Sequence, residues 1–282
     1  MFDYQIYRRW VDRIMVFLCG AAAFVAMIPL VSLLCYVIIR GVKRLDWTFL
    51  TSLPTPVGVS GGGMANSIIG TITLVFIASC VGLPIGLMAG IYLSEYGKKN
   101  RFAWCVRFTA DVLSGVPSIV TGIVAYTLIV RPMHNFSALA GGVALGFMMI
   151  PIVTRTTEEL VNLVPHSIRE ASWALGVSKW KTILNVVIRT ARNGILTGIL
   201  LSIARIAGET APLLFTAFNN QFWPRGVDEP TASLTVQVFT YAISPFKDWQ
   251  DQAWTGALVL LILVLTVNMT AKLFFKNARQ FR

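Results

Sequence analysis

The sequence predicts an all-α membrane protein with six transmembrane helices, and three observations predict it. Of its 282 residues, 55% are hydrophobic and only 13% are charged, about half of the roughly 25% usual in soluble domains. Mean hydropathy is +0.68, too high for a surface that must face water. The apolar residues gather into runs close to the ~20 residues that a bilayer crossing needs, with Lys and Arg collected between them. A soluble enzyme, a disordered chain and a disulfide scaffold are excluded on these grounds.

The first run, 14–39, is too long for the apolar region of a cleaved signal peptide and is expected to remain as a helix behind a cytoplasmic N-terminus at 1–13. An outer loop at 40–66 follows, with Pro54, Pro56 and the glycines at 61–63. Further spans are expected at 67–93, 108–130, 138–154, 194–217 and 253–275, the fourth able to continue as helix to Leu163. They form one core, 67–275, with a helical cytoplasmic loop at about 156–193 and a cytoplasmic C-terminus at 276–282. Trp223, Tyr241 and Trp249 in the outer segment before the last span suit a membrane interface.

Charge sets the orientation. With the N-terminus inside, 17 of the 24 Lys and Arg fall in cytoplasmic segments and 6 outside, and Arg205 lies within a span. That asymmetry follows the positive-inside rule and explains the net charge of +11 without nucleic acid as a partner. The lipid bilayer is the partner that composition implies. The cysteines, Cys19, Cys35, Cys80 and Cys105, form no CxxC and read as buried apolar residues.

Small residues punctuate the spans. Gly82, Gly86 and Gly90 recur every fourth position, and Gly142 and Gly146 repeat the spacing in the fourth span, a pattern that lets helices approach closely in lipid. Pro84 and Pro117 are expected to kink their spans.

Enzymatic constellations are missing. No HExxH, GxSxG or GxxxxGK[ST] pattern occurs, so neither a metal centre, a cofactor nor an ATP site of the chain's own is expected. Any ATP that its work needs must be hydrolysed by another subunit. The strongest local signal is the basic stretch EASWALGVSKWK at 170–181. It reads as a short helix stopped by Gly176, which can take a positive φ, and then a second helix. Ala171, Ser172 and Ala174 are small enough for a partner to approach, so the helical pair looks like a docking element.

That stretch resembles the EAA motif of permease subunits in ATP-binding-cassette importers. Glu170, Ala171 and Gly176 match the pattern, with Ser172 at its third position. Many members carry a proline after the second helix, where this chain reads VIR at 187–189. Further stretches are similar to the permeases of high-affinity phosphate importers: GGGMANS at 61–67, 86–97, PSIV at 117–120, IPIVTRTTE at 150–158 and RIAGETAPLLFTA at 205–217. The resemblance implies the type I importer permease fold and inward movement of inorganic phosphate. It also implies a second homologous permease subunit, two ATPase subunits on the cytoplasmic side and a periplasmic phosphate-binding protein. Permeases for another oxyanion, such as sulfate or molybdate, share the docking motif. A stand-alone secondary transporter or channel would need none.

Arg205 and Glu209 are expected midway along the fifth span. A charge at that depth costs at least about 2.5 kcal/mol, so it needs a wet cavity or a partner. Four residues apart on one helix they would share a face. They then form either an internal ion pair that fixes packing or part of an anion path, in which guanidinium replaces the water around phosphate. Arg155, at the cytoplasmic end of the fourth span, either faces the exit of that path or snorkels to the interface. Asp111 reads as an N-cap or interface residue.

Overall fold

The computed structural model describes residues 2–59, 61–97 and 100–277. Lys98, Lys99, Arg279 and Arg282, counted in the charge asymmetry, and the last residues of the 276–282 tail lie outside them. Every regular element among the described residues is helical. Helix α1 spans Phe2–Gly41, and a short helix α2, Trp47–Thr51, is capped by Asp46, whose Oδ1 accepts from the Phe49 amide at 2.7 Å. Helix α3 is Ala65–Glu95 and runs unbroken through Pro84. Then come α4 (Arg101–Gly115), α5 (Ser118–Ala125), a π-helical turn at Tyr126–Val130 and the one-turn α6 (Arg131–Met133). Helix α7 is Ala138–Asn162, α8 His166–Ala174 and α9 Lys179–Thr182. A second π turn, Ile183–Val187, carries α9 into α10, Ile188–Ala207. The chain closes with α11 (Ala211–Thr216), α12 (Leu234–Ala242) and α13 (Lys247–Asn277).

Five of these stretches are single helices long and apolar enough to cross a membrane. The bent pair α4 and α5–α6, whose halves meet at 105°, makes a sixth when it is counted as one span. The third span is therefore not the kinked rod at 108–130 expected from the apolar run. Its break falls at Val116, which is extended at ψ 129°, because Pro117 disfavours helical backbone in the residue before it. The fourth span does extend as helix to Asn162. The fifth, expected at 194–217, stops at Ala207: Pro212 has no N–H to donate to the Gly208 carbonyl four residues before it, and in a continuous helix its ring would clash with that carbonyl.

The middle of the molecule is the parallel pair α3 and α7. A Cβ at Gly82, Gly86 or Gly90 would lie 2.8, 2.7 and 2.6 Å from the Cβ of Met149, Val153 and Thr157. In return, Gly142 and Gly146 of α7 receive Ile77 and Val81 of α3. The glycine spacing of both helices serves this contact, where close backbone approach gives the dispersion contacts that hold helices together in lipid, and Ser94 Oγ adds a hydrogen bond to Asn162 Oδ1 at 2.7 Å near its end. Around it pack Leu74, Leu145, Met149, Ile206 and Leu213. Helix α10 runs antiparallel to α7, with Gly194 on Leu160 and Gly198 on Thr156. The ends of α3 and α7 and the starts of α4 and α9 thus share one end of the bundle, which carries Arg101, Arg107, Arg155, Arg169 and Lys179 and is called the basic end below.

Helix α1 is exposed along most of its length and touches the rest near its C-terminus, where Tyr36 meets Trp254 edge-on at 4.9 Å and Gly41 abuts Leu258. Two residue-level expectations are corrected. All four cysteines are exposed on the chain, because lipid is as apolar as a core and an apolar residue in a span need not face inwards. Tyr241 is 1% exposed and stacks on Trp249 at 4.5 Å, since α12 folds back against α13 and encloses the ring within the protein instead of presenting it at the surface.

Candidate functional site

Two places in this frame hold the residues singled out by the sequence. The first is the turn between α8 and α9. Gly176 has φ +76°, its amide donates to the Trp173 carbonyl at 2.9 Å and the Val177 amide to Ser172 at 3.2 Å. This pair of bonds is the Schellman end of a helix, for which glycine is the favoured residue. A Cβ on Gly176 would meet nothing within 4 Å, so the need for glycine is conformational and not steric. Glu170, Ala171 and Ala174 are exposed, as are Trp173 and Leu175, the latter at 83%. Ser172 is turned inwards instead. It is 7% exposed, and its hydroxyl meets that of Thr182 at 2.9 Å, so it pins α8 to α9 and offers no surface to a partner. Leu175, which sequence reasoning passed over, is the most exposed apolar side chain of the turn. At 187–189 the π turn Ile183–Val187 runs directly into α10.

The second place is the end of α10. Arg205 sits in its last turn, and Ile206 beside it packs with Leu145 and Met149, halfway along α7. The helix therefore ends level with the middle of α7. Glu209 lies beyond the Gly208 cap, outside the helix, so the expected shared face of Arg205 and Glu209 does not exist. Arg205 is exposed, Glu209 half-buried, and no side-chain hydrogen bond or ion pair joins either of them to another described residue. The Glu209 carbonyl accepts from Thr235 Oγ1 at 3.0 Å. Irregular backbone at bilayer depth is tolerated where it is buried in protein or lines a wet cavity. An exposed guanidinium at that depth demands solvation from outside its own chain.

Arg155 is not brought to Arg205. It lies six residues beyond Met149 on α7, about 9 Å of helix rise. Its Nε donates to Asp111 Oδ1 at 2.8 Å, a second nitrogen reaches Asp111 Oδ2, and a third reaches Glu158 Oε2 at 3.2 Å. The buried Glu158 also accepts from Arg107 Nε at 2.6 Å, and Arg107 donates to the Leu93 and Gly97 carbonyls at 2.9 and 3.2 Å. Asp111 is thus neither a helix cap nor a lone interface residue. It is the α4 end of a four-member charge network that ties α4 and the end of α3 to α7.

Comparison with known proteins decides what this arrangement belongs to. Residues 82–280 match the family described as "binding-protein-dependent transport system inner membrane component". The chain belongs to that family. It is a multi-pass permease subunit of an ATP-binding-cassette importer. It is 44% identical over 275 residues to the phosphate transport system permease protein PstA of Yersinia pestis, covering 98% of this chain and 93% of that one. With the protein of the same name from Haemophilus influenzae it shares 42% identity over 273 residues, 97% of this chain and 96% of the relative. Among solved structures, a bacterial alginate ABC transporter in complex with an alginate-bound periplasmic protein superposes with a TM-score of 0.66 at 11% identity, covering 95% of this permease and 94% of that chain. At that identity the likeness shows the fold, which is that of type I importer permeases.

Proposed function

We propose that this permease moves inorganic phosphate inwards across the bacterial cytoplasmic membrane. In this reading the basic end and both termini face the cytoplasm. A second homologous permease completes the pore, two ATPase subunits hydrolyse ATP, and a periplasmic phosphate-binding protein delivers the substrate. The substrate is the one named for relatives at 42–44% identity over nearly the whole chain.

The observation that carries the site is the exposed Arg205 at the end of α10, level with the middle of α7 and without a partner among the described residues. Phosphate crossing a pore loses water, and a guanidinium replaces it with up to five donors in a planar fork. Glu209, on the irregular segment next to it, borders the same path and limits how tightly an anion is held, because its carboxylate repels phosphate. Arg155 stands nearer the basic end at the exit, restrained by Asp111 and Glu158. The ATPase docks on the exposed side of the α8–α9 turn, at Glu170, Ala171, Ala174 and Leu175, with Gly176 setting the angle and Ser172 holding the two helices together from behind.

The test is uptake of labelled phosphate by the complete importer, with sulfate and molybdate as competitors. Inhibition of binding-protein-dependent uptake by either oxyanion at phosphate-like concentrations would overturn the substrate assignment. Transport that persists without the ATPase subunit would instead favour a stand-alone carrier.

A further inference from the structure

The docking turn can drive transport only if its movement reaches the spans, and α8 is joined to α7 by just Leu163, Val164 and Pro165. One side chain bridges the gap. Arg169 of α8 is buried, and it and Glu95, the last residue of α3, are each 6% exposed at the side chain. Its Nε and one terminal nitrogen donate to Glu95 Oε1 at 3.0 and 2.7 Å. The same terminal nitrogen reaches the Val161 carbonyl at 3.0 Å, and the other reaches the Val164 carbonyl. A single planar fork therefore holds the end of α3 and the end of α7 together from within the docking helix. Lys179, the first residue of α9, adds a second tie to the same place: its Nζ donates to the Glu95 carbonyl at 3.0 Å and lies 4.1 Å from the centre of the Tyr96 ring.

The target of these bonds matters. Helices α3 and α7 are the pair locked by five glycines, so force applied to their ends moves both as one body. The Arg155–Asp111 link then carries that body to α4, and α5 beyond the break packs Gly122 against Pro212, at the start of α11. Resting on the docking role proposed above, we infer that Arg169 is a positioning residue for energy coupling: with Glu95 it forms the rigid strut that transmits movement of the ATPase dock to the α3–α7 pair. Lysine cannot replace it, because a single ammonium lacks the fixed fork that spans a carboxylate and two carbonyls.

A buried ion pair can also be a folding device, in which losing one partner strands the other charge. The deciding variant is therefore the neutral double substitution Arg169→Gln with Glu95→Gln, which leaves no stranded charge. It is placed in the complete importer in proteoliposomes, beside Arg169→Lys. Phosphate moved per ATP hydrolysed is measured, together with crosslinking of an added Ala174→Cys to the ATPase. The expected result is about a tenfold fall in phosphate per ATP, the size of a typical coupling between sites, in both variants and with the crosslink retained. A wild-type ratio in the double variant, or its failure to assemble, overturns the strut and leaves a contact needed for folding only. Absence of the crosslink in the chain carrying Ala174→Cys alone overturns the docking assignment itself, and this inference with it.

Discussion

At the residue scale, the most consequential side chain is Arg205. Its helix ends at Ala207, so Glu209 four residues on cannot lie over it as it would on a continuous helix. This separates two roles that spacing alone left together. If Arg205 solvates phosphate, Arg205→Gln removes charged hydrogen bonds worth about 1.5–3 kcal/mol and lowers uptake roughly 10- to 100-fold, while the importer still assembles. Adding Glu209→Gln is expected to give no rescue, because among the described residues no ion pair exists for it to relieve. Uptake assays and complex purification on both variants check this, and normal uptake by an assembled Arg205→Gln importer refutes it. Gly176 is the opposite kind of residue, chosen for its backbone. Any side chain at φ +76° costs about 1–2 kcal/mol, although there is empty space around it. Gly176→Asn, which tolerates this conformation, should therefore uncouple hydrolysis from transport less than Gly176→Val, measured as phosphate per ATP.

Elements behave as the chemistry of their contacts dictates. The α3–α7 pair has no room for a side chain at Gly86, where a Cβ would lie 2.7 Å from that of Val153 and 3.1 Å from the Ile150 carbonyl. Gly86→Val is expected to force the helices apart at a cost of about 1–3 kcal/mol and to lower the melting temperature of the purified importer. Gly20→Val on α1, where nothing lies within 4 Å, serves as the neutral comparison. The α8–α9 turn shows how a face is selected. Ala171 and Ser172 are both small and adjacent, yet the turn exposes the first and buries the second against Thr182. A cysteine at Ala174 should crosslink to the ATPase where one at Ser172 does not.

For the whole molecule, helix directions alternate so that the α1 start, the α8–α9 turn and the α13 end fall on the basic end. Reporter fusions at Lys179 and after Asn277 are expected to read as cytoplasmic. A periplasmic reading at either would invert the proposed topology. Much of this plan was legible in the sequence. The runs of apolar residues, the glycine repeats and the turn at Gly176 are each local signals of period, size or backbone freedom, and each appears in the fold. The broken third span was only half legible, since Pro117 announced a disturbance and not a bend of 105°. The pair Glu95 and Arg169 carried no signal at all: 74 residues separate them, and each alone reads as one more charge at the end of a span.

What the sequence by itself determined was that the chain crosses the membrane, roughly where it does so, and where Gly176 turns it between two short helices. Those properties depend on neighbours within a few residues along the chain and on the energy of each segment in lipid. Only the tertiary structure decided which charges meet, that Arg205 is left without a partner among the described residues while Arg155 is fully engaged, and that Ser172 faces inwards. Such choices rest on contacts between segments far apart in sequence, set by how closely glycine lets α3 and α7 approach and by where Pro212 ends α10.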